Sequence, residues 1–137
     1  MERRMGKRLK RIAIVATFGL AGCATTSSGL ADAQHACASG ASHAEIHVVG
    51  TIARYLGTRN SESGEHEGFL VTPSGSNARL LIEDNVNITG FIPMRSGDSV
   101  ELQGQYECND GVIHWTHHDP SGRHVMGFVV VNGRRFQ

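Results

Sequence analysis

The order of apolar and polar positions divides the chain into three textures. Residues 12–22, "IAIVATFGLAG", are almost continuously apolar. This is about the length of a bacterial signal h-region and too short to cross a bilayer as an ordinary helix. Residues 24–44, "ATTSSGLADAQHACASGASHA", are small and polar with no repeating apolar face, which predicts a flexible tether. From Glu45 onward the rhythm becomes the two-residue alternation of half-buried strands. "EIHVVGTIARYLG" alternates and is rich in β-branched residues, and "GFLVTPSGSNARLLIED" reads as two strands joined by a turn at "PSGSN". "NVNITGFIPMRSGD" is irregular, "SVELQGQYEC" alternates again, and "NDG" marks a tight turn. "GVIHWTHH" and "RHVMGFVVV" read as strands on either side of the turn "DPSG".

No helix longer than about two turns stands out. Five or six short strands with glycine-rich corners predict an all-β domain over residues 45–137, a small, partly open OB-like barrel. The segments "VVGTIARYL" and "GDSVELQGQYE" resemble the first and fourth strands of such a barrel, where a glycine inside a long strand permits a sharp coil. A β-sandwich is the alternative.

The leader changes where this domain is placed. "MERRMGKRLKR" carries six basic residues and one acid ahead of the apolar run, which ends in "LAGC" at residues 20–23. This resembles a lipobox. The resemblance implies a signal peptide over residues 1–22, cleavage before Cys23, lipidation of Cys23, and a lipid-anchored tether over residues 23–44. The membrane is then a partner through the acyl chains. Ala24 after the cysteine implies the outer membrane, facing the periplasm. The competing site is "ADA" at residues 31–33, where cleavage before Gln34 would give a soluble periplasmic or secreted protein.

Removing the leader also changes the charge. The whole chain is formally neutral, but from Ala24 onward it has seven Arg, no Lys and twelve Asp or Glu, a formal charge of −5. That balance argues against general nucleic-acid binding, which needs a basic face for phosphates. With Cys23 assigned to lipid, Cys37 and Cys108 remain as one possible disulfide in an oxidising compartment, or as two separate thiols.

The candidate chemistry lies in "HWTHHDPSGRH", residues 114–124, which holds four of the eight histidines. "DPSG" suits a type I turn: Asp119 accepts a backbone N–H, Pro120 presets φ and Gly122 closes. A four-residue hairpin loop would set His118 against Arg123, His117 against His124, Trp115 against Met126, and Ile113 against Phe128. Opposed residues have Cβ atoms about 5 Å apart, so His117 and His124 could share a divalent metal such as zinc, with Zn–N about 2.0–2.1 Å. Asp119 and His66, from "GEHEGF", complete the candidate ligand set. His114 and His118 fall on the other face with Arg123. The plainer alternative is a hairpin whose histidines make only structural hydrogen bonds.

The segment "LLIEDNVNI…GDSVELQGQYECN…GVIHWTHHDPSGRHVMGFVVVNGRRFQ" resembles a family of small exported bacterial proteins, domain of unknown function 3465. Its members carry a similar "GVIHWTHHDP" tail, an upstream "HQRF" and a "LLIAHNID" segment, and the likeness spans roughly residues 47–137. In this chain "HEGF" at residues 66–69 keeps the histidine and loses the basic residue. Asp84 stands where the family has histidine, and Cys108 where it has tryptophan. If that histidine is a metal ligand in the family, Asp84 offers an oxygen donor in its place. The family supplies no reaction.

The leading expectation is a cell-envelope binding module for a small ligand or divalent metal. Its patch would comprise His66, Asp84, His114, His117, His118, Asp119, Arg123 and His124. A hydrolase is the second reading, with phosphodiesters as a candidate substrate class, His117 or His66 as base and Arg123 or Arg79 holding an anion. An envelope interaction protein with no small-molecule site is the third.

Overall fold

A computed structural model describes residues 29–137. The leader, the LAGC motif and Cys23 lie outside the described residues. The elements are α1 (Leu30–Ala38), β1 (His43–Ser61), β2 (Gly64–Pro73), β3 (Leu80–Asn85), α2 (Val86–Thr89), β4 (Ser99–Glu107), β5 (Val112–His114), β6 (Phe128–Val131) and β7 (Arg134–Phe136).

The fold is all-β, one sheet whose strands partly close into a ring. Five strands pair in the ring β1–β2–β3–β5–β4, and a further β1–β4 pairing brings the ring back on itself. All of these pairs are antiparallel except β3–β5. The ring is thin at β5, which offers only two residue pairs to each neighbour. The hairpin β6–β7 extends the sheet from β4, so the sheet has seven strands rather than five or six.

One long strand makes the closure possible. The first half of β1 pairs with β4 and the second half with β2. Gly50 is the corner, opposite both Val100 and Pro73. A Cβ there would lie 2.1 Å from the carbonyl oxygen of Thr72, so only glycine lets the two backbones approach this closely.

The inward positions follow the two-residue period. Ile46, Val48 and Ile52 of β1, Phe69 and Val71 of β2, Leu80 and Ile82 of β3, Val100 and Leu102 of β4, and Ile113 of β5 form one buried core. Two carboxylates share that inward phase. Glu67 and Asp84 face each other across β2–β3, and are 1% and 0% exposed.

Residues expected to be tether are ordered instead. Leu30–Ala38 is helical, Ala33 is fully buried in the core cluster, and β1 begins at His43 rather than after residue 44. Cys37 and Cys108 form a disulfide that joins α1 to the residue following β4, with Cα atoms 5.4 Å apart. The folded unit therefore includes α1. A helix held by one alanine and one cross-link has no apolar stripe to announce it.

Candidate functional site

The expected β5–β6 hairpin does not form as a ladder. β5 ends at His114, and β6 pairs with β4, with Phe128 opposite Gln103 rather than Ile113. The cause is local. Trp115 takes a left-handed backbone conformation, φ +57°, which few non-glycine residues adopt. This breaks the strand and reverses its phase. Trp115 turns outward and is 38% exposed, while Thr116 turns inward and is fully buried. Gly127 then lets the returning chain pass close by. A Cβ there would sit 2.0 Å from the Trp115 carbonyl oxygen.

The tip of the loop behaves as expected. Gly122 N–H donates to the Asp119 carbonyl at 3.2 Å, closing the four-residue turn. The Asp119 carboxylate is buried and committed to the turn, accepting from the Ser121 hydroxyl and from the backbone N–H groups of Ser121, Arg123 and His124. The Ser121 hydroxyl, followed by the Ser121 and Arg123 N–H groups and the Arg123 charge, holds this carboxyl well below the usual range. The Arg123 side chain is 72% exposed and lies 3.6 Å from the same carboxylate.

His117 and His124 do meet, although through a loop rather than across a ladder. Their rings are edge to face with centroids 5.0 Å apart, and Trp115 covers them at 5.9 Å and 4.6 Å. Each imidazole is oriented by a carbonyl. His117 Nδ1–H donates to the His118 oxygen at 2.9 Å, and His124 Nδ1–H to the Val125 oxygen at 2.7 Å. Carbonyls only accept, so both Nδ1 atoms carry protons. The Nε2 of His124 is buried without a hydrogen-bond partner, 3.7 Å from an Asp119 oxygen. His118 is exposed, with Nδ1 against the Met126 sulfur.

A cavity of about 400 Å³ opens beside this cluster on the outer face of the ring. Its floor is His66 of β2, Glu83 and Asn85 of β3, and His114 of β5. Its walls are Ser63 from the β1–β2 turn, Asn109 and Asp110 from the β4–β5 loop, and Trp115 and His117. His66 and Asn85 are opposed in the β2–β3 register. His66 Nδ1 lies 3.1 Å from the Gly64 carbonyl oxygen. Glu83 is paired with Arg59 and has His114 Nδ1 at 3.7 Å.

Three of the expected patch residues, His66, His114 and His117, are thus brought to one cavity. His124 and Asp119 are not on its lining, and His118 and Arg123 are not either. Asp84 lies behind the cavity floor, inside the ring, where it accepts hydrogen bonds from Thr116 at 2.5 Å and from Thr89. Burial pushes its carboxyl upward, against the opposing pull of those hydroxyls and of His117 and His66. Asp84 is therefore no surface oxygen donor. Among the described residues no group of three His, Cys, Asp or Glu side chains is placed to hold a metal ion. Neither Arg79 nor Arg123 lines the cavity, so the anion holder of the hydrolase reading has no place beside its base.

Glu83, Asn85, Asn109 and Asp110 were not among the expected site residues. Glu83 and Asn85 follow Leu81 on the outer phase of "LLIEDN", so their direction was readable from alternation. Their meeting with the β4–β5 loop depends on ring closure, a non-local event.

No curated protein and no solved structure matches the chain. The profile of the family described as "Protein of unknown function (DUF3465)" matches residues 16–137, and the chain belongs to that family.

Proposed function

We propose that the domain is a binding module for a small polar ligand, seated in the cavity over β2, β3 and β5. The observation that carries this reading is the position of the cavity. It lies on the β2–β3 face between the β1–β2 turn and the β4–β5 loop, where OB-type barrels receive their ligands. Its volume of about 400 Å³ is in the range of small-molecule sites. The test is an NMR titration of the histidine ring signals with a library of polar fragments. Binders should shift His66, His114 and His117 together and leave His35 and His43 unmoved. A library that moves none of the three would sink the reading.

A divalent metal is the second reading, supported by the buried His124 Nε2, which makes no hydrogen bond and lies 3.7 Å from an Asp119 oxygen, with the His117 ring 5.0 Å away centroid to centroid. Two imidazoles and a carboxylate committed to a turn make an incomplete set, so an exogenous ligand or a water must complete it. Zinc chloride in the same titration separates the two readings. Zinc held here shifts His117 and His124 and spares His66.

We also propose that the module is tethered to the cell envelope through Cys23. The basic leader, the apolar run and LAGC support this, and the Cys37–Cys108 bridge suits an oxidising compartment. Labelled palmitate fed to an expressing bacterial host should enter the chain and be absent from Cys23→Ala. Equal labelling of both would overturn the anchor.

A further inference from the structure

We infer that the ligand of the β2–β3–β5 cavity is a neutral saccharide, a mono- or disaccharide stacked on Trp115 and held by the carboxylates and amides around it. The inference rests on the cavity being a ligand site, and it names the chemical class that the lining selects.

The first argument is charge. No lysine or arginine lines the cavity, and Arg59 is already taken up by Glu83, so an anionic ligand would meet Glu107 and Asp110 with no free cation on the lining. A cationic ligand would have to compete with Arg59 for Glu83, and Glu107 and Asp110 each already commit an acceptor to a neutral donor. Glu83 is paired with Arg59 and approached by His114. Glu107 accepts the Gln105 amide at 2.7 Å, and Asp110 accepts the Val112 N–H at 3.1 Å. The Glu83 charge is offset by Arg59, while the amide and N–H on Glu107 and Asp110 are neutral and leave those charges in place, so the rim offers strong acceptors with open lone pairs. That combination suits hydroxyl donors, which need good acceptors and bring no charge.

The second argument is geometry. Carboxylate and amide groups are planar and present paired acceptors, or an acceptor beside a donor. Vicinal hydroxyls of a sugar ring fit such groups in pairs. Asn109 adds an amide from an exposed loop, and His66 and His117 have their Nδ1 atoms already engaged by backbone, which leaves Nε2 for the ligand.

The third argument is the platform. Trp115 is the single tryptophan of the chain and is 38% exposed. A large indole is normally turned inward, yet here a left-handed backbone holds it out, and His117 and His124 brace its ring from behind. A partly exposed aromatic ring packed against two imidazoles and beside planar polar groups matches the two faces of a sugar, apolar C–H on one side and hydroxyls around the rim.

The single tryptophan makes the test direct. Full-length protein in detergent is titrated with glucose, N-acetylglucosamine, maltose, cellobiose and diacetylchitobiose, following Trp115 emission and saturation-transfer NMR. At least one sugar should give a saturable emission change below about 50 mM, a weak but specific affinity. Asn109→Ala, at an exposed loop position, should weaken that sugar by about tenfold, the scale of one lost hydrogen bond. Trp115→Phe should retain part of the saturation transfer, and Trp115→Ala should abolish it with the thermal transition still cooperative. If no sugar in the panel saturates, the saccharide assignment is overturned. Fragments that still shift His66, His114 and His117 in that case leave the cavity as a ligand site of another class. If neither sugars nor fragments act, both readings fall together.

Discussion

Replacing Cys37 and Cys108 together by serine is expected to cost about 4 kcal/mol of stability. The bridge closes a loop of 71 residues, and the chain-entropy estimate for a loop of that length gives this figure. The loss has a structural counterpart. Apart from the bridge, α1 is held to the sheet by the buried Ala33 and a few partly buried contacts such as Leu30, so it should fray in the variant, with faster amide exchange over residues 30–38. Cys108 also adjoins Asn109 and Asp110, two walls of the cavity, so reduction should loosen the site while the ring β1–β4 stays paired. Urea unfolding of the oxidised protein and the double variant measures the cost. A difference below about 1 kcal/mol would mean that the unfolded chain is already constrained between residues 37 and 108 without the bridge.

The bridge also shows where sequence reasoning reaches and where it stops. Two cysteines, Cys37 and Cys108, allow one pairing once Cys23 is set aside as the expected lipid site, and that pairing is present. The helix carrying Cys37 was not legible, because tertiary attachment replaces an apolar stripe there. Strands β1 to β4 were legible because each has one wet face and one dry face, so "EIHVV", "FLV" and "SVEL" announce their own burial; the short β5, β6 and β7 were not delimited this way. The turn at residues 119–122 was legible because its chemistry is local. The partner of β6 was not, since pairing with β4 depends on the left-handed turn at Trp115, and nothing in "HWTHH" demands a strained tryptophan. The pairing of His117 with His124 was expected for a reason that does not hold, a hairpin ladder; the two rings meet because the loop folds over them. The cavity draws on the β1–β2 turn, β2, β3 and the β4–β5 loop, and only ring closure assembles these.

The same alternation that places the core places two carboxylates inside it, and this leads to the second large effect. Glu67 is in phase with Phe69 and Val71, and Asp84 with Leu80 and Ile82. They face each other across β2–β3, and both are buried. Glu67 accepts the Ile92 N–H at 2.8 Å and the Tyr55 hydroxyl, but burial and the neighbouring Asp84 outweigh these and push its carboxyl up to about 7. In the unfolded chain the same group ionises near 4.5. Between these values the folded state keeps a proton that the unfolded state has released, so stability is full below pH 4.5 and falls as pH rises toward 7. The expected loss is about 3 kcal/mol, from the size of the shift at about 1.36 kcal/mol per unit. Asp84 is shifted in the same direction, so its own contribution begins to be lost as pH rises above about 3.8. Asp119 is shifted the other way, so its contribution is lost only in strong acid, outside this window. Glu67→Gln keeps the acceptor for Ile92 and removes the ionisation. It should therefore flatten the slope between pH 4.5 and 8 and exceed the wild type in stability at pH 8. Urea midpoints of both proteins across that range decide the matter. Parallel curves would show that Glu67 ionises in the folded state as freely as in the unfolded chain, with water reaching the pair through the thin closure at β5.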